Sequence, residues 1–126
     1  MPHIDALFEM CKKKEVAAAY PRLCALLLMY KHLPKVGVVY LRTTAYRTPV
    51  QKWLEGTPGL TGEDKRVIMQ KLMKAVGEAV AELKKELGGV ASAINLRRAI
   101  LRQLLEELRK LVPHLMIYLV FWLLRP

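Results

Sequence analysis

The chain has 126 residues, of which 53% are hydrophobic, and its 21 Lys and Arg outnumber its 11 Asp and Glu, giving a formal net charge of +10 at pH 7. This length suits one domain with one modest core, while the hydrophobic fraction exceeds the roughly 45–50% that is typical of soluble domains. Two cysteines, three scattered histidines and a lack of phosphate-binding or nucleophile motifs exclude the common zinc, nucleotide and hydrolase sites, so we expect neither an enzyme nor a cofactor.

Residues 4–33 show the apolar periodicity of helices. A first stripe, which we expect to continue through residues 17–19, consists of Ile4, Leu7, Phe8 and Cys11. Pro21 either kinks this helix or begins a new one. A second stripe, which should end at Pro34, consists of Leu23, Leu26, Leu27, Tyr30 and Leu33. We expect Cys11 and Cys24 to be buried free thiols, as in a reducing compartment.

Residues 35–47 fit two secondary structures. Their β-branched and aromatic residues favour a strand by propensity, but a helical stripe is also present. It consists of Val36, Val39, Tyr40, Thr43 and Tyr46. Because no second strand candidate lies nearby to pair with, we predict a helix. Thr48 and Pro49 then suit the N-cap and the first residue of a short helix through Trp53.

The strongest helix prediction follows a loop at residues 56–62. Thr61 and Asp64 have the spacing of a capping box, with Asp in place of the commoner Glu or Gln, and Gly88 and Gly89 suit the end of a helix. The spacing therefore predicts a continuous helix from Thr61 to Leu87. Its core face should consist of Ile68, Leu72, Val76, Val80, Leu83 and Leu87.

A further helix is predicted from Ala91 to Val112, and Pro113 could kink it. Its stripe, which Arg98 interrupts, consists of Ile94, Leu101, Leu104, Leu105, Leu108 and Leu111. We therefore divide the chain into a basic helical bundle at residues 1–90 and an amphipathic helix with a hydrophobic C-terminal segment at residues 91–126.

Residues 115–124 form an unbroken apolar run, LMIYLVFWLL. Ten helical residues span about 15 Å, which is short of the about 30 Å of membrane hydrocarbon. Packing on a small bundle requires only one apolar stripe, so burial in the chain's own core is the weaker alternative. We expect the run to protrude and to contact a membrane or a neighbouring subunit. The expected contact residues are Leu115, Ile117, Tyr118, Phe121 and Trp122.

Positive charge is concentrated in residues 11–54, where nine basic residues face one acidic residue. Such a surplus indicates an acidic partner, either nucleic acid, an anionic membrane or an acidic protein, unless it reflects a generally basic compartment. Tyrosines interleave with the basic residues, as stacking on nucleic acid requires. They fall mostly on apolar helix faces, however, and no nucleic-acid-binding signature is present, which disfavours nucleic acid.

One arrangement resembles a known family. It comprises Leu26-Leu27-Leu28-Met29-Tyr30-Lys31, then Tyr40-Leu41-Arg42, Ala45-Tyr46-Arg47, Trp53 and the long helix from Thr61. Over about residues 20–87 this is similar to the LYR-motif family of small mitochondrial three-helix proteins. The resemblance implies an adaptor that holds an acidic mitochondrial acyl carrier protein on a larger assembly. It implies partner-binding roles for Met29, Tyr30, Lys31, Arg42, Arg47 and Trp53.

Together these patterns predict an all-α protein, a three- to four-helix bundle with a protruding hydrophobic C-terminal helix. We expect a non-catalytic accessory or scaffold subunit of a respiratory-chain type complex, at the mitochondrial inner membrane or its matrix face. Its partners would be other subunits, an acyl carrier protein and membrane lipid. Two alternatives stay open, a basic amphipathic membrane-associated protein outside mitochondria and an RNA-binding subunit of a mitoribosome.

Overall fold

The computed structural model describes residues 2–36, 41–88 and 92–124, with side chains at 4–33, 41–88, 92–111 and 124. The predicted all-α class is confirmed, since the described residues contain six α-helices and no strand. The helices are α1 (Pro2–Met10), α2 (Lys14–Ala19), α3 (Pro21–Val36), α4 (Arg47–Glu55), α5 (Gly62–Leu87) and α6 (Ala93–Leu124), with a 3-10 turn at Thr43–Tyr46.

Helix α3 lies at the centre and packs against both α5 and α6. Its residues 23–29 are all buried, so the helix is enclosed on every side, as expected for a segment that is apolar all round. Arg22 contacts Glu107 near one end of α3, and Tyr30 faces Arg97 near the other, so α3 and α6 run antiparallel. The buried residues of α6 belong to the same core as those of α3 and α5.

The ends of several helices differ from prediction. The single N-terminal helix expected through residue 19 is wrong, because a turn at residues 11–13 separates α1 from α2. Pro34 does not end α3, which continues to Val36. Helix α4 begins at Arg47, one residue before its predicted cap. Pro49 is tolerated there because the first turn of a helix has no internal acceptor for its backbone N–H. The continuous helix predicted over 35–47 is wrong at residues 41–42, which are not helical, and residues 43–46 form the 3-10 turn. Residues 37–40 lie outside the described residues.

The predicted start and end of α5 are confirmed. Thr61 Oγ1 accepts from the Asp64 backbone N–H at 3.0 Å, and Asp64 Oδ2 accepts from the Thr61 N–H at 3.1 Å, which completes the capping box. Gly88 caps the other end with a φ of 81°, a left-handed conformation that glycine adopts without steric cost. The core face is buried as predicted, except that Leu87 is half-buried. The buried members are Ile68, Leu72, Val76, Val80 and Leu83.

The predicted core stripe of α6 is wrong in part. Leu104 is buried, but Ile94 and Leu105 are 64% and 61% exposed. The buried face lies to one side of the predicted stripe and consists of Leu96, Ala99, Ile100 and Leu104. Because α6 carries two adjacent apolar stripes, periodicity alone does not decide which of them faces the bundle.

Candidate functional site

The basic stretch at residues 11–54 is partly neutralised by the fold itself. Four of its cations pair with carboxylates that lie outside the stretch. These pairs are Lys12–Glu9 at 2.8 Å, Lys14–Asp64 at 3.8 Å, Arg22–Glu82 at 2.7 Å with Arg22–Glu107 at 3.0 Å, and Lys31–Asp5 at 2.9 Å. The charge surplus read from local sequence is therefore smaller at the surface than the count suggests.

Arg22 has a structural role, because its ion pairs lie within the chain. Its half-buried guanidinium bridges α3 to Glu82 of α5 and to Glu107 of α6, and it also donates to Gln103 Oε1 at 3.1 Å. The fork of an arginine suits such a bridge, since it directs several N–H donors in one plane. Sequence reasoning missed this role, because no local pattern links residues 22, 82 and 107.

The residues aligned with the Leu-Tyr-Arg motif have three different environments. Met29 is completely buried in the core, so it is not part of any surface open to a partner. Tyr30 is half-buried, with the Arg97 guanidinium 5.8 Å from its ring centre. Lys31 is exposed, but it forms an ion pair with a carboxylate of α1. We therefore leave Met29 out of the candidate surface.

The other predicted partner residues lie on the 3-10 turn and α4. Arg42 and Arg47 are exposed, and Trp53 is half-buried. Within the described part of the chain, no carboxylate lies within salt-bridge distance of Arg47 or of the neighbouring exposed Lys52. These two cations are the clearest remainder of the basic surplus.

Helix α1 covers Lys31 and Trp53. Asp5 accepts a hydrogen bond from Lys31 Nζ at 2.9 Å, and this bond, with the nearby positive charge, lowers the pKa of the Asp5 carboxyl. The same ammonium lies 4.7 Å from the centre of the Phe8 ring, a cation–π distance. The Phe8 ring in turn packs against Trp53 with ring centres 6.0 Å apart. Two residues of α1 therefore contact two of the predicted partner residues.

The covered Trp53 has an unsatisfied polar atom. Its indole Nε1 is buried and finds no hydrogen-bond acceptor among the described residues. A buried donor without an acceptor costs about 1–3 kcal/mol, so native structures contain few of them. The Trp53 N–H is therefore one polar group that the described structure leaves without a partner.

A disulfide joins Cys11, just after α1, to Cys24 in α3. The prediction of free thiols is therefore wrong, although both residues are buried as expected. Spacing along the chain gave no sign of the bond, because the pairing depends on the turn that folds α1 back on α3.

The outer face of α6 is the second candidate surface. Ile94 and Leu105 are exposed there, Leu101 and Leu108 are half-buried, and Arg98 is exposed between them. Leu124, at the end of the helix, is 76% exposed. The predicted contact residues Leu115, Ile117, Tyr118, Phe121 and Trp122 lie on α6, but outside the residues whose side chains are described. No helix within the described ranges is long and apolar enough to cross a membrane.

The described side chains form neither a deep cleft nor a metal-binding cluster. The grooves are shallow, and one of about 300 Å³ lies where the start of α3 meets α6, lined mainly by Tyr20, Leu23, Lys110 and Leu111.

Comparison of the sequence and structure with protein-family models, curated proteins and solved structures gave no significant match. The candidate sites are therefore two surfaces. One is formed by Lys31 and Trp53, which α1 contacts, and the other is the outer face of α6.

Proposed function

We propose that this protein is a non-catalytic accessory subunit, whose bundle is attached through the second half of α6 to a membrane-embedded assembly such as a respiratory-chain complex of the mitochondrial inner membrane. The observation that carries the proposal is the burial pattern of α6. Among the side chains described on α6, at residues 93–111 and 124, the last buried one is Leu104, yet the helix continues for another twenty positions to Leu124, which is exposed.

Helix lengths support the same proposal. Helix α6 has 32 residues and α3, against which it packs, has 16. At about 1.5 Å per residue these lengths are about 48 Å and 24 Å, so α3 matches only half of α6. The half beyond α3 carries the apolar run of residues 115–124, which one narrow contact with a small bundle does not satisfy.

The disulfide revises the expected location. Because disulfides persist where thiols are kept oxidised, we place the bundle on the oxidising side of the membrane and not on the matrix face. The Cys11–Cys24 bond supports this placement. A secreted or periplasmic membrane-associated protein outside mitochondria remains the second candidate, on the same observation.

The acidic partner is a narrower proposal. The exposed Arg47 and Lys52 provide two cations without internal carboxylate partners, so we propose an acidic protein as the partner. The acyl carrier protein that the LYR resemblance implies is one such protein, and it fits a bundle on the matrix face only. Complementary charge of this kind accelerates association and fixes the choice of partner more than it adds affinity. The supporting charge is modest, because four cations of the same stretch are already paired within the chain.

The test is purification of the full chain and of a truncated chain from native membranes. Deletion of residues 113–126 should yield a soluble protein that keeps its helical circular dichroism and a cooperative thermal transition. A matched control, Ile94→Ser with Leu105→Ser, removes the exposed apolar side chains of the described half and should stay in the membrane fraction. Loss of the fold on truncation would show that the run belongs to the core. Identification of the co-eluting chains decides which assembly and which acidic partner are bound.

A further inference from the structure

Helix α1 lies on the bundle as an acidic helix on a basic surface. It carries Asp5 and Glu9 and no Lys or Arg. Asp5 pairs with Lys31 of α3, and Phe8, on the same face of α1, packs on Trp53 of α4. Ile4 and Leu7 are only partly buried against the core. The contacts of α1 thus combine one ion pair with a small apolar face.

We propose that the surface beneath α1, centred on Lys31 and Trp53, is a docking surface for an acidic amphipathic helix of a partner protein. Helix α1 occupies this surface within the chain, and the Cys11–Cys24 disulfide holds α1 in place. The inference rests on the proposed acidic partner and is independent of the attachment through α6.

Apart from Phe8, which is buried in the core, the noncovalent contacts of α1 are weak. The helix has nine residues, fewer than the about 12–15 at which an isolated helix becomes even marginally stable in water. The Asp5–Lys31 pair is exposed to solvent, and pairs of this kind contribute little because water and salt screen them. Met10, in the last turn, is 53% exposed. The disulfide therefore supplies much of the restraint on this end of the chain.

The contacts that α1 makes with this surface indicate the chemistry of the partner. Lys31 is held by a carboxylate, and the Trp53 ring is covered by an aromatic side chain from a position three residues along the same helix. Residues three apart share a helix face, so a partner helix with an acidic and an aromatic residue at this spacing reproduces both contacts.

The step that would expose this surface, which we call the gate, is reduction of the disulfide. A dithiol reductant supplies two electrons and two protons, the Cys11–Cys24 bond breaks into two thiols, and the dithiol becomes a cyclic disulfide. The only covalent connection between Cys11 and α3 then runs through α2, and α1 is held at Lys31 and Trp53 by noncovalent contacts alone. When α1 leaves, the uncovered surface presents a cation and an aromatic ring together.

Hydrogen exchange of the full chain, detected by mass spectrometry, tests the gate. Reduction should accelerate exchange of the helix-bonded amides at residues 6–10 by about tenfold or more, because these amides exchange through local opening, and leave the centre of α5 unchanged. The variant Cys11→Ser with Cys24→Ser should behave like the reduced chain without any reductant. Unchanged protection of α1 on reduction would overturn the proposal. So would loss of protection in α3 and α5, since α1 would then be an integral part of the core.

A binding measurement tests the surface. The probe is a fluorescent peptide of about 16 residues, long enough to form a helix when bound, with Leu and Phe on one face and Glu elsewhere, and its counterpart carries Lys for each Glu. Because apparent affinity scales with the open fraction, the acidic peptide should bind the reduced chain about tenfold more tightly than the oxidised chain. Lys31→Ala should weaken this binding, whereas Lys84→Ala, at an exposed position of α5, should not.

The outcomes separate this inference from the proposed function. Equal binding of the acidic peptide in both redox states would reflect nothing beyond the net positive charge and would overturn the docking surface. Tighter binding of the Lys peptide would do the same. Redox-dependent binding without a co-purified acyl carrier protein would support the surface and remove only that protein as the partner.

Discussion

Helices α5 and α6 are the two longest in the chain, yet they use their apolar residues in different ways. In α5 the predicted stripe is the buried stripe, and both ends are capped. Along the described side chains of α6, from 93 to 111, Leu104 is the last buried residue, and apolar residues such as Leu105 lie exposed beside it. Within the described residues, α5 therefore buries its apolar stripe, whereas α6 leaves part of its apolar surface exposed.

This difference indicates where a functional surface lies when the described side chains form no deep cleft. A helix whose apolar residues are all accounted for by one core carries stability, as α5 does. A helix with more apolar surface than its own core covers has the rest available for a membrane or another chain. The predictions below test this division, from the largest expected effect to the smallest.

Val76→Asp should unfold the protein. Val76 is completely buried on α5, and an unpaired charge there costs several kcal/mol, comparable with the about 5–15 kcal/mol that stabilises a typical domain. The control is Ala81→Asp, at an exposed position of the same helix, which should keep a cooperative transition. Circular dichroism during urea titration compares them, and a cooperatively folded Val76→Asp protein would contradict the assignment of this face to the core.

Leu104→Ala and Leu105→Ala form a matched pair on adjacent residues of α6. Leu104 is 1% exposed, and its truncation should cost about 2–5 kcal/mol through lost burial and a residual cavity. Leu105 is 61% exposed, and its truncation should change stability by less than about 0.5 kcal/mol. Denaturant midpoints of the two variants measure the difference. Equal destabilisation would mean that both stripes of α6 are packed.

Thr61→Ala should cost about 1 kcal/mol, because it removes the N-cap acceptor of α5. The capping box also predicts a pH dependence. The Thr61 backbone N–H bond lowers the pKa of Asp64, so this carboxylate stabilises the fold above its unfolded-state pKa and loses that contribution as pH falls through its folded-state pKa. Asp64→Asn should flatten this part of the acid-side stability curve. Parallel curves for the two proteins would argue against the bond.

Local features of the fold could be predicted from the sequence where a residue pattern was compatible with only one structure. The Thr61–Asp64 box, the Gly88 cap and the stripe from Ile68 to Leu83 were predicted and are confirmed. Helix ends at prolines were less predictable. Pro34 and Pro49 both lie within helices. Pro49 is in the first turn of α4, where a backbone donor has no internal acceptor, but Pro34 is in the last turn of α3, where this reason does not apply.

The candidate surfaces depended more on tertiary structure. Met29 belongs to the motif by sequence but is buried, whereas Asp5 and Phe8, which no motif singled out, contact Lys31 and Trp53. The charge of the basic stretch was countable from sequence, but its pairing with Glu9, Asp64, Glu82, Glu107 and Asp5 was not.

The sequence by itself determined the all-α class, the capped helix α5 and the excess of apolar and basic residues, because each of these follows from composition and from spacing within about two helical turns. Only the tertiary structure decided which stripe of α6 is buried, which cations are neutralised and that Cys11 bonds to Cys24. These features join residues far apart in the chain. Their partners are selected by how the helices pack around α3, which no local pattern encodes.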